Sequence, residues 1–72
     1  MSDVSVAITM VRSGTLSNDQ IMLFHLNGLL RPPGVRVQFL GNTAPYQGGE
    51  VAELHSELAA ELVRRGAATY VV

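Results

Sequence analysis

Cysteine, tryptophan and lysine are all missing from the 72 residues. Without cysteine the chain forms no disulfide, holds no cysteine-ligated iron–sulfur cluster and builds none of the common structural zinc sites. Without lysine its positive charge rests on five arginines, set against six acidic residues for a net charge of −1. A nucleic-acid binder shows a basic face, because phosphate neutralisation dominates its affinity. Here Arg12, Arg31 and Arg36 are interspersed with Asp3 and Asp19, while Arg64 and Arg65 follow Glu50, Glu53, Glu57 and Glu61. That pattern excludes nucleic acid as an expected partner. Long apolar runs are missing too. The longest, from Ile21 to Leu30, is interrupted by His25, Asn27 and Gly28, whereas spanning a bilayer takes about 20 apolar residues. Met1-Ser2-Asp3-Val4 carries no positive n-region, so the expectation is a chain made in the cytoplasm with no membrane partner.

Apolar side chains are plentiful. They make up 47% of the residues, against only 15% charged, where an average soluble domain carries about 25% charged. A chain this short buries only about 60% of the surface that it exposes when unfolded. Domains below roughly 80 residues usually need disulfides, a metal or partner subunits. With disulfides excluded and no metal motif present, the composition predicts association, either as a homo-oligomer or within a larger protein lattice.

The order of elements reads β-α-β-β-α-β. Val4, Val6, Ile8 and Met10 alternate with Ser5, Ala7 and Thr9, which predicts a strand. Ser17-Asn18-Asp19-Gln20 has the form of a capping box, with Leu16 and Ile21 placed for a hydrophobic staple and Gly28 as the end of a helix of about ten residues. Pro32-Pro33-Gly34 is a rigid break. Residues 35–40 alternate again, with Val35, Val37 and Phe39 inward. A glycine-rich tip and a return strand bearing Val51 on its apolar face complete a hairpin. Leu54, Leu58 and Leu62, widened by Ala59 and Val63, mark an amphipathic helix. Glu57 stands in its first turn, Arg64 and Arg65 in its last, and a Glu61–Arg65 pair on its surface. Gly66 ends it and residues 67–72 read as a final strand. The predicted class is α+β: a compact β-β-α-β body over 35–72, and a strand-plus-helix segment over 1–34 that is a candidate attachment arm. A four-stranded ferredoxin-like arrangement is the alternative.

Catalytic and ligand patterns are sparse. His25 among Leu23, Phe24 and Leu26 reads as a histidine at a core edge or interface. His55-Ser56-Glu57 reads as helix-start residues, since neighbours in sequence seldom form a triad. Glu53, His55 and Glu57 could share a metal only if the chain bent sharply, and no His-x-x-x-His occurs. Gly48-Gly49 lacks the Lys-Ser/Thr of a phosphate loop. Phe39 and Tyr70 are the only strand aromatics, too few for an RNA-stacking sheet. The expectation is therefore no enzyme, no cofactor, no metal and no small-molecule substrate. The candidate contact residues are Val4, Val6 and Ile8 for strand pairing, Leu23, Phe24 and Leu26 for apolar anchoring, and Tyr46 at the hairpin tip. Tyr46 has two open readings, an interface anchor or a ring folded over its own helix.

Residues 35–72 carry a hydrophobic strand, then Tyr46, Gly49, Glu50, Ala52 and Leu54, an Ala/Leu helix with Ala59 and Leu62, then Gly66 and Ala68 before a last strand. This half of the chain resembles a small module of head-associated structural proteins of tailed bacteriophages. The resemblance implies a virion protein acting through protein–protein contacts, on the capsid lattice or as an oligomer. A decoration or cement protein, or a minor head protein, is the first expectation, and a head–tail joining protein the second. A reading from another class remains: a free-standing, dimeric ferredoxin-like domain with a regulatory or ligand-binding role.

Overall fold

Three helices and a three-stranded antiparallel sheet make up a mixed α+β fold in the computed structural model, which describes residues 3–30 and 34–71. Along the chain run α1 (Asp3–Arg12), α2 (Asn18–Leu26), β1 (Val35–Phe39), β2 (Val51–Leu54), α3 (Ser56–Arg64) and β3 (Ala68–Tyr70). The expected break at Pro32-Pro33 lies outside the described residues.

The sheet has the order β2-β1-β3 with both pairings antiparallel. Val37 lies opposite Ala52 on one side and Tyr70 on the other, and Phe39 lies opposite Ala68. Opposed residues share a face of the sheet, so Val37, Phe39, Ala52, Leu54 and Ala68 are buried together on one side. The other side carries Arg36, Gln38, Val51, Glu53 and Thr69, all exposed. Val51 is thus on the outer face, 49% exposed, and not on the apolar face as its neighbours suggested. Val51 shares its parity with Glu53, whose charge belongs in water, so the register to β1 buries Ala52 and Leu54 instead.

α3 lies across the inner face. Leu58, Ala59 and Leu62 point into the sheet with no exposed surface, as their spacing requires. Gly66 (φ 77°) and Gly28 (φ 68°) take the left-handed conformation just after α3 and α2, which a side chain would oppose. At the start of α2 the capping box forms as expected: the Gln20 amide donates to the Ser17 hydroxyl at 3.2 Å, and the Ser17 amide donates to Gln20 Oε1 at 2.8 Å.

The first element is a helix, not a strand. Val4, Ala7, Ile8 and Val11 are also spaced i, i+3, i+4, i+7, and the last three meet the core while Val4 stays exposed. Ala7 and Val11 are at most 1% exposed, and Ile8 packs partly buried against the same cluster as Ile21, Met22, Leu58 and Leu62. Burial against α3 overrides the β-propensity of the valines. Two consequences follow. Residues 3–30 share one core with the β-β-α-β body, so they do not form a strand-and-helix arm standing apart from it. The four-stranded ferredoxin-like sheet does not form either, because its first strand is α1. The ends of α1 and α3 are tied by Arg12, whose Nε and Nη2 donate to the two carboxylate oxygens of Glu57, each at 2.8 Å.

Candidate docking groove

Leu23 and Leu26 lie three residues apart on α2 and are 53% and 54% exposed. Facing them is the tip of the β1–β2 connection, a tight turn in which Thr43 and Tyr46 exchange backbone hydrogen bonds at 2.9 and 2.8 Å. The turn presents Ala44 and Pro45, joined by a cis peptide bond. Together Leu23, Leu26, Ala44 and Pro45 wall a groove of about 290 Å3, with Gln20 and Asp19 at its polar end. Its lining is almost wholly apolar, and Asp19 is its only charged member among the described residues.

Tyr46 fixes one wall of this groove from behind. Its ring stacks on Phe39 with centroids 5.0 Å apart and planes 13° apart. Its hydroxyl shares a hydrogen bond with His25 Nε2 at 3.1 Å, which ties the hairpin tip to α2. The ring therefore turns inward, but onto the strand β1 rather than over a helix, and it meets α2 through its hydroxyl. Phe24 is likewise half-buried against the core. Of the residues expected to anchor a partner, only Leu23 and Leu26 line the groove. Val4 and Val6 are 39% and 43% exposed, but they stand on a helix, so strand pairing through Val4, Val6 and Ile8 has no strand to use. The contribution of Ala44 and Pro45 has no signal in the local sequence, because it arises from a contact about twenty residues away along the chain.

The polar residues serve the fold. His55 caps α3, its Nδ1 accepting from the Glu57 amide at 3.1 Å, as expected of a helix-start residue. Glu61, with only 6% of its side chain exposed, accepts from Arg64 and from Arg65 Nε, the latter at 2.7 Å. Arg65 Nη1 then donates to Asn18 Oδ1 at 3.1 Å, joining the end of α3 to the start of α2. The cleft of about 450 Å3 between α1 and α3 is lined by Arg12, Glu57, Glu61 and Arg64. Each of its arginines faces a carboxylate, so the cleft holds no surplus charge to capture an ion. Among the described residues, no three His, Asp or Glu side chains converge where a metal ion could be held. Among the described residues, no helix is long and apolar enough to cross a membrane either.

These contacts shift ionisation in a testable way. Hydrogen bonds from Arg64, aided by Arg65 against the cost of burial, hold Glu61 below the ordinary 4.5, and Arg12 does the same for Glu57. Burial holds His25 below 6.5. In each case the folded chain binds fewer protons than the unfolded chain just below the ordinary value, so stability falls with pH there. The expected profile has two declines, one as pH drops below 6.5 from His25 and a second below 4.5 from the glutamates. Urea midpoints measured across pH check this: His25→Gln removes the upper decline, and Glu61→Gln shrinks the lower one.

No family model, curated protein or solved structure matches the chain.

Proposed function

We propose that this chain is a non-enzymatic structural protein of a tailed-phage particle, a small decoration, cement or minor head protein that docks through its apolar groove. The observation that carries the reading is the groove itself: two leucines about half-exposed, opposite a proline turn, with a lining that is almost wholly apolar. An apolar side chain from a neighbouring chain fits such a lining, and exclusion of water from Leu23 and Leu26 drives its binding. Asp19 at the mouth adds a charge criterion, favouring an apolar anchor flanked by a basic residue. The resemblance of residues 35–72 to phage head proteins names the class of partner, the major shell protein. The hairpin, helix and last strand that carry that resemblance form one unit, with α3 packed on the three-stranded sheet.

Mass spectrometry of purified particles from cells producing the protein tests this. The chain should be recovered in a fixed, multi-copy ratio to the shell protein. Its absence from particles, or a substrate turned over by the purified chain, would contradict the reading.

A further inference from the structure

A second cleft, of about 360 Å3, opens where the chain leaving β1 meets the end of α3 and the start of α2. Among the described residues that wall it there is no acidic side chain. Its asparagines have already spent their acceptors. Asn18 Oδ1 accepts from Arg65 Nη1 at 3.1 Å, and Asn42 Oδ1 accepts from the Gly48 amide at 2.9 Å. Both partners are obligate donors, so each asparagine must turn its oxygen to them and keeps its NH2 group for another acceptor. Asn42 is exposed, and Asn18 and Arg65 are partly so. Arg65 supplies the charge. Its Nε donates to Glu61, its Nη1 to Asn18, and its Nη2 is buried without a partner. Glu61 also accepts from Arg64, so two guanidinium groups share one carboxylate and one positive charge is left over. The carbonyls ending α3 would repel an anion, but those of Glu61, Leu62 and Val63 are taken by the amides of Arg65, Ala67 and Gly66.

We propose that this cleft binds a carboxylate, with the NH2 groups of Asn18 and Asn42 as donors and Arg65 as the counter-charge. Donors without competing acceptors, beside an arginine, are what an oxyanion requires once it leaves water. The charge selects among oxyanions. One surplus positive charge matches a single carboxylate, whereas a phosphate dianion would enter half-compensated and carry a larger desolvation cost. The wall is not wholly polar, since Leu40, 59% exposed, and Ala67 also line it. They offer the carbon stem of the acid an apolar surface to cover. A free small acid and the aspartate or glutamate side chain of a partner protein bring the same group to this place.

Nuclear magnetic resonance on the isotope-labelled full chain tests this, with sodium acetate titrated against sodium chloride and sodium phosphate at matched ionic strength. Acetate should move the side-chain amide signals of Asn18 and Asn42 and the Nε–H signal of Arg65 along one saturating curve. Chloride should give no saturable change, and phosphate should bind more weakly than acetate. Asn42→Asp keeps an oxygen for the Gly48 amide but replaces the free NH2 by a negative charge. Asn18→Asp likewise keeps the acceptor for Arg65 while cancelling its charge. Each should weaken acetate binding about tenfold or more, with the circular dichroism spectrum unchanged. A blocked aspartate, N-acetyl-aspartate amide, separates the two sources: tighter binding than acetate supports a partner's side chain, and equal binding supports a free acid. Shifts no greater than those from chloride overturn the proposal. So does tighter binding of phosphate, or an acetate affinity indifferent to both variants. Leu23→Ala alters the groove and should leave acetate binding unchanged, so failure of one reading is distinguishable from failure of the other.

Discussion

Leu62→Ala lowers the free energy of unfolding by about 2–5 kcal/mol, the range for truncating a buried leucine. Leu62 has no exposed surface and belongs to the one cluster that joins α1, α2, α3 and the sheet. The cavity left behind cannot close easily, because its walls come from several elements whose positions are set by other contacts. A domain of this kind has roughly 5–15 kcal/mol in total, so the loss is a large fraction of it. Urea denaturation followed by circular dichroism measures the change. Leu23→Ala, at a position more than half exposed, should stay within about 0.5 kcal/mol. A loss under about 1 kcal/mol for Leu62→Ala would mean that α3 does not hold the core.

Removing residues 1–12 has an effect of similar or greater size. Deletion takes away Ala7 and Val11, both essentially inaccessible, and the partly buried Ile8. Each buried aliphatic side chain contributes about 1.5–3 kcal/mol when it is of valine or isoleucine size. The deletion also uncovers the flank of α3 beneath them and strips Glu57 of its two bonds from Arg12. The truncated chain should lose its cooperative unfolding transition or precipitate. An attachment arm predicts the opposite, a truncated chain as stable as the full one, and proton exchange at Val11 and Leu62 amides in the full chain offers a second check. Comparable protection at the two places is expected.

Much of the fold is legible in the sequence because local rules act alone there. The Ser17–Gln20 box is settled by side chains three residues apart, and the Leu58–Leu62 stripe, flanked by Glu57 and Arg64, has one period and one orientation. β1 alternates with charged or amide residues on its outer face, which leaves a single way to bury Val37 and Phe39. Residues 4–11 fail this test. Their valines satisfy a period of two and a helical stripe together, and only the flank of α3, some fifty residues on, chooses between them. Val51 is a different case, since its parity with Glu53 already marks the outer face. At the groove, Leu23 and Leu26 declare themselves as apolar residues on a capped helix. Their opposite wall does not, because Ala44 and Pro45 reach them only through the Phe39–Tyr46 stack and the Tyr46–His25 bond.

The central claim is that the protein works by docking its groove on a particle, and one comparison tests it most directly. Particles assembled in the presence of wild-type chain or the Leu23→Asp/Leu26→Asp double variant are banded on a density gradient, and the bound chain is quantified against the shell protein. Burial of two half-exposed leucines against a partner accounts for about 2–3 kcal/mol, so the variant's affinity should fall by a factor of about 30–150, read as lost occupancy at chain concentrations near the wild-type dissociation constant. Its urea midpoint should be unchanged. Equal occupancy of wild type and double variant would contradict the account.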